Sequence, residues 1–191
     1  MTPTLPPASS PQLMTAEEFV RLHGGDSEVE LVEGVVVRLP MPGGEHGEVC
    51  GNAYAIVREW VKPNNLGRVM CNDTFVRTKR QPGSYRGADV CYLSYARLPK
   101  DQPIAKGPLE SPPELVIEVR SPTDREGEID RKVEEYLRVG VAVVIVLDPN
   151  VDVATVYRQS EEIPQRFSNG DELTLPDVLP GFSVAVRKFF E

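Results

Sequence analysis

Two histidines and three cysteines are all that this 191-residue chain offers for soft metal chemistry. His23 and His46 stand apart, and Cys50, Cys71 and Cys91 are widely spaced among apolar or small residues with no CxxC pair. That scarcity argues against a thiolate–imidazole zinc site and, with an odd number of thiols, against a disulfide framework. The cysteines read as reduced, partly buried small side chains. Long apolar runs are also lacking, since none approaches the roughly 20 residues of a membrane-spanning helix. No basic start followed by an apolar core marks a signal peptide, so a soluble, cytoplasmic protein with no membrane partner is expected. Basic side chains are outnumbered, 21 Lys and Arg against 29 Asp and Glu, and a net charge of −8 excludes a protein that coats nucleic acid by charge alone. The imbalance is uneven. Leu66 to Lys106 carries eight basic residues against Asp73, Asp89 and Asp101, giving +5 there and −13 elsewhere. A local basic face is one reading of that segment, and chance clustering of solvated charges is the other.

With 40% hydrophobic residues, the chain is long enough for one cored domain and too short to favour two. Met1 to Leu13, rich in Pro, Ser and Thr and without charged side chains, is expected to be a disordered tail before a single domain over 14–191. Thr15-Ala-Glu-Glu18 is a capping box opening a short helix through Leu22, closed by Gly24-Gly25. Val29 to Leu31 and Val35 to Leu39 read as strands about a tight turn at Glu33-Gly34. Val49, Ala53, Ile56, Val57 and Trp60 recur at helical spacing up to Pro63-Asn64-Asn65. Strands follow at Arg68 to Cys71, Thr74 to Thr78 and Ala88 to Leu93, then a Pro-punctuated loop from Pro99 to Pro113.

Strand Leu115 to Val119, a helix from about Glu126 to Val139 capped by Gly140, and the apolar run Val141 to Leu147 come next. Strand, helix and doubly buried strand in that order imply a right-handed parallel βαβ crossover over 115–147. From Val151 onward the pattern is antiparallel strands and turns. The expected fold class is α/β, a mixed sheet flanked by helices.

Charges placed where packing disfavours them mark the candidate chemistry. Glu118 lies inside the apolar run Leu115-Val-Ile-Glu-Val119, and Asp89 interrupts Ala88-Asp-Val-Cys-Tyr-Leu93. An unpaired carboxylate inside a parallel sheet costs several kcal/mol, so each needs a cation or an exposed strand end. Lys132 borders the helical stripe of Ile129, Val133, Tyr136 and Leu137, while Glu128, Arg131, Glu134 and Glu135 fall further round, towards solvent. Each residue also has a plainer reading: a solvent-facing strand-end glutamate, a cap or turn aspartate, and a snorkelling lysine paired with Glu128. Taken together, two strand carboxylates and a lysine on the following helix suit phosphodiester hydrolysis. The oxygens would take a hard cation, Mg²⁺ or Mn²⁺, and the ammonium would orient water or add positive charge.

The chain resembles the Uma2 family of restriction-endonuclease-like proteins in the PD-(D/E)xK nuclease superfamily. The likeness runs from Met14 to the C-terminus through Met14-Thr-Ala-Glu-Glu-Phe19, Glu30-Leu-Val-Glu-Gly34, Glu45-His-Gly47, Ala88-Asp-Val90, Pro113-Glu-Leu-Val-Ile-Glu-Val-Arg-Ser-Pro122, Lys132-Val-Glu-Glu-Tyr136, Gly140, Leu147-Asp-Pro149 and Leu179-Pro-Gly-Phe182. It implies metal ligation by Asp89, Glu118 and the backbone carbonyl of Val119, a lysine relocated to the helix at Lys132, and Glu30 as a fourth member. Glu118-Val-Arg120 departs from the usual lysine position; arginine cannot act as a base there but can bind phosphate. His46 matches a family position and reads here as a helix-start hydrogen-bonding group rather than a catalytic one. The expected activity is a divalent-metal-dependent endonuclease on DNA, as a homodimer because a duplex has two strands to cut. A catalytically silent nuclease-fold module for nucleic-acid binding or assembly is the alternative. A hydrolase of small phosphodiesters ranks below both, since no Gly-rich phosphate cradle appears.

Overall fold

A computed structural model describes residues 13–26, 28–122, 124 and 127–191. Apart from Leu13, the expected tail lies outside these residues, as does Glu126, the expected start of the third helix. The elements run α1 (Ala16–His23), β1 (Val29–Val32), β2 (Val35–Arg38), α2 (Gly44–Val61), β3 (Gly67–Lys79), β4 (Ser84–Ser94) and β5 (Leu115–Val119). They continue as α3 (Glu128–Val139), β6 (Val143–Asp148), β7 (Val153–Arg158), β8 (Gln165–Ser168), β9 (Glu172–Thr174) and β10 (Ser183–Ala185), with a 3-10 turn at Val186–Phe189. No helix among the described residues is long and apolar enough to cross a membrane.

Local chemistry sets most boundaries. The Thr15 hydroxyl accepts from the Glu18 N–H while the Glu18 carboxylate accepts from the Thr15 N–H, so α1 begins as a full capping box. Glu33 and Gly34 both take positive φ, 50° and 82°, the twist a tight hairpin needs. α2 buries Val49, Ala53, Val57 and Val61, four residues apart on one face. α3 ends where Gly140 turns left-handed at φ 102°. All five residues of β5 are buried, and β5 pairs in parallel with β6 from Leu115↔Val143 to Val119↔Leu147. The βαβ crossover is therefore present, within an otherwise antiparallel sheet.

The runs Arg68 to Cys71 and Thr74 to Thr78 are one strand, not two. A bulge separates them, with Asn72 and Asp73 at φ 67° and 53°. Asn and Asp tolerate that left-handed backbone better than other side chains, which is why the interruption falls there.

Eight strands form the main sheet in the order β2-β1-β4-β5-β6-β7-β8, with β3 also on β4. Tyr85 pairs with Arg77 of β3 and Leu31 of β1, whereas Val90 pairs with Cys71 of β3 and Ile117 of β5. β3 thus occupies one edge of β4 throughout, while β1 and β5 divide the other edge between them. Residues 86–89 lie at that change of partner, where the ladder is interrupted and backbone groups need other partners. One apolar cluster packs α2 and the C-terminal segment on one side of the sheet, and a second packs Ile129, Val133 and Tyr136 of α3 against Val116 and Val144.

Candidate functional site

The gap in the β4 ladder is filled by charged side chains. Glu30 of β1 is fully buried, and Arg86, Glu118 and Lys132 are 2%, 2% and 8% exposed. One Glu30 oxygen accepts from the Gly87 N–H at 2.9 Å and lies 2.9 Å from Lys132 Nζ; the other accepts from Arg86 at 2.9 Å. Lys132 Nζ also donates to Glu118 Oε2 at 3.1 Å and to the Gly87 carbonyl at 3.4 Å, so all three of its N–H groups have acceptors. The Tyr136 hydroxyl stands 2.9 Å from Glu118 Oε1 and 3.2 Å from the same carbonyl. Asp89 stands at the end of the break, its Oδ2 accepting from the Val119 N–H at 2.7 Å. Side chains do here what a partner strand does elsewhere.

Lys132 therefore replaces an apolar residue on the buried face of α3 and reaches Glu30 and Glu118 rather than Glu128. Burial opposes its charge, but Glu118, Glu30 and Asp89 outweigh that and hold the ammonium firmly protonated. Glu118 behaves differently. Burial raises it to about 8, because the one ammonium is shared with Glu30 and the charges of Asp89 and Glu30 add to the burden. Glu135, expected toward solvent, instead folds inward: Arg86 grips it through two donors at 3.0 and 2.7 Å and the Thr78 hydroxyl donates at 2.7 Å. Helical spacing put it towards solvent, and the arginine that draws it in comes from a distant strand.

Asp89, Glu118, Val119 and Lys132 line a cleft of about 730 Å³ shared with the Pro40–Pro42 loop, Asp73, Asp124 and His46. Asp73 arrives by the β3 bulge and was missed in the sequence; burial and then the charge of Asp89 push its carboxyl up to about 6. The only early signal was the Asn-Asp pair interrupting strand residues. His46 does not cap α2, whose cap is Gly43. It faces Asp89 with Nε2 3.6 Å from Oδ2, and the hydrogen bond to Asp89 raises its pKa. Cys50 stands one turn further along α2, its Sγ 3.5 Å from His46 Nδ1. Glu30, by contrast, lies behind Lys132 and is not among the cleft-lining residues. Arg120 is also absent from the lining; it turns to Asp148 at 3.5 Å, 44% exposed.

The +5 segment does not form a basic face as a whole. Arg86 is buried, Arg68 donates to the carbonyls of Leu98, Lys100 and Gln102, Arg77 to the Tyr85 hydroxyl, and Arg97 pairs with Glu114.

The profile of the Uma2 family, described as "Putative restriction endonuclease", matches residues 16–187. Among solved structures, a crystal structure described as a "putative nuclease belonging to DUF820" from Anabaena variabilis is similar at 20% identity, with a TM-score of 0.81 over 93% of this chain and 97% of that one. At that identity the likeness concerns the fold. No curated protein matches the chain.

Proposed function

Because this chain belongs to the Uma2 family, we propose that its 14–191 domain is a divalent-metal-dependent endonuclease acting on DNA in the cytoplasm. The observation that carries the reading is the convergence of Asp89 and Glu118, from neighbouring strands, with the ammonium of Lys132 in one cleft. Asp73, Asp89 and Glu118 supply oxygen donors only, and burial, followed by the charge of neighbouring carboxylates, pushes up Asp73 and Glu118. That donor set fits Mg²⁺ or Mn²⁺. Asp89, Glu118 and the Val119 carbonyl would hold the ion, with Asp73 from the same cleft as a further oxygen ligand; the ion supplies Lewis acidity and neutralises charge on the phosphate.

The chain's own groups do the rest. Lys132, held protonated, cannot serve as a base; it orients Glu118 and lends positive charge toward the phosphate. Glu30 and Tyr136 lock Lys132 and Glu118 in place from behind. Arg120 assists only if its link to Asp148 opens. Two strands must be cut in a duplex, so a homodimer with one site per subunit is the simplest assembly, and gel filtration tests it.

Plasmid incubated with Mn²⁺ and wild-type protein should be cleaved, with loss of cleavage in Asp89→Ala and Lys132→Ala. Equal cleavage by all three would sink the assignment. The engagement of every Lys132 donor favours a second reading, a nuclease fold kept for binding alone. Calorimetry separates the two: Mn²⁺ binding abolished by Glu118→Ala supports the enzyme, and no binding by wild type supports the silent module.

A further inference from the structure

His46 and Cys50 take no part in the chemistry just described, yet both stand against Asp89. Their spacing of four on α2 puts the imidazole and thiol on one helix face. His46 Nε2 is 3.6 Å from Asp89 Oδ2, Cys50 Sγ is 3.5 and 4.0 Å from the two ring nitrogens, and one donor atom from each residue lies within 4.8 Å of the others. A tetrahedral zinc ion with bonds of about 2.0–2.3 Å to N, O and S sets its ligand atoms roughly 3.3–3.6 Å apart. The trio is thus close to ligating separation, needing only small side-chain adjustments.

We propose that His46, Cys50 and Asp89 form a Zn²⁺ site with three protein ligands and a fourth position open to the cleft. Three features support it beyond the spacing. Asp89 is already oriented by the Val119 N–H at 2.7 Å, the kind of outer contact that fixes a metal-binding carboxylate. His46 and Asp89 line the cleft wall, which leaves an exit for the fourth ligand. The donors are one thiol, one imidazole and one carboxylate, a set that selects Zn²⁺ over Mg²⁺, in contrast to the all-oxygen group beside it. Asp89 belongs to both groups, so the soft site and the hard site would share that one carboxylate. The argument against zinc rested on few histidines and no CxxC pair, whereas His46 and Cys50 stand four apart on one helix and Asp89 joins them from β4.

Cobalt(II) titrated into the metal-free full chain tests the site without relying on nuclease activity. Wild type should show tetrahedral visible bands and a sulfur-to-cobalt charge-transfer band in the near ultraviolet, both removed by Zn²⁺. Cys50→Ser should abolish the charge-transfer band, His46→Ala should weaken Zn²⁺ affinity at least tenfold, and Cys71→Ser and Glu118→Gln should leave the band intact. A wild type without that band, or a band that survives Cys50→Ser or vanishes in Cys71→Ser or Glu118→Gln, overturns the proposal. Zinc-edge X-ray absorption on wild type gives an answer independent of any variant's folding: one sulfur in the first coordination shell supports the site, and none overturns it. Failure here leaves the Mn²⁺ reading standing, since Glu118 is required there and not here.

Discussion

Replacing Arg86 with methionine is the most direct test of whether the charged cluster behind the cleft holds the fold together. The substitution keeps a long apolar stem and removes a guanidinium that is 2% exposed. Three charge-assisted hydrogen bonds go with it, one to Glu30 at 2.9 Å and two to Glu135 at 3.0 and 2.7 Å. Glu30 keeps Lys132 and the Gly87 N–H, so it remains partnered. Among the described residues, Glu135 keeps only the Thr78 hydroxyl as a hydrogen-bond partner. Removing one partner from a buried ion pair costs about 3–5 kcal/mol, which for a chain of this size lowers the melting temperature by roughly 6–20 °C.

Circular dichroism through urea and thermal unfolding reads that loss. Adding Glu135→Gln to Arg86→Met should restore about 1–3 kcal/mol, because the orphaned charge is then gone. The pH dependence gives a second readout. Burial pushes the Glu135 carboxyl up, but Arg86 and Thr78 outweigh it and hold it below its ordinary 4.5. A depressed carboxyl contributes stability above its unfolded value that is lost as pH falls through the folded one. Arg86→Met should flatten that acid-side loss. A cost under about 1 kcal/mol, or no recovery in the double variant, would show that the network is not what stabilises this part of the sheet.

Mn²⁺ affinity should rise with pH, because burial lifts Asp73 to about 6 and Glu118 to about 8, and a cation must displace those protons. Calorimetry at pH 7 in two buffers of different ionisation enthalpy should detect proton release, and none would contradict the assignment. Without metal, the native state holds more protons than the unfolded chain between the ordinary values of 3.8 and 4.5 and these raised ones, so stability should fall as pH rises toward about 8. Gly87→Ala should weaken Mn²⁺ binding with only modest loss of stability, since the new Cβ would meet Asp73 Cβ at 3.0 Å and press that carboxylate out of place. Unchanged binding would remove Asp73 from the site.

Much of the architecture was legible in local pattern. The capping box at Thr15, the Glu33-Gly34 hairpin and the helix ending at Gly140 rest on interactions between residues close in sequence, the strand Leu115–Val119 shows as an apolar run, and all four stand where the pattern put them. Asp89, Glu118 and Lys132 stood out for a related reason, as charges embedded in apolar runs. The β3 bulge was read as a break between two strands, because period-two alternation cannot tell an interrupted ladder from a finished one.

Local pattern thus sufficed for most of the elements and for the odd charges within them. Tertiary structure decided which of those charges meet. β4 changes partner from β1 to β5 near Gly87, and that long-range pairing brings Glu30 to Lys132 and opens the gap that Asp89 and Glu118 border. It also turns Arg86 and Glu135 inward and sets His46 and Cys50 against Asp89. Helical and strand periods report only which face a residue occupies, whereas a buried charge settles by the partners that a distant strand supplies.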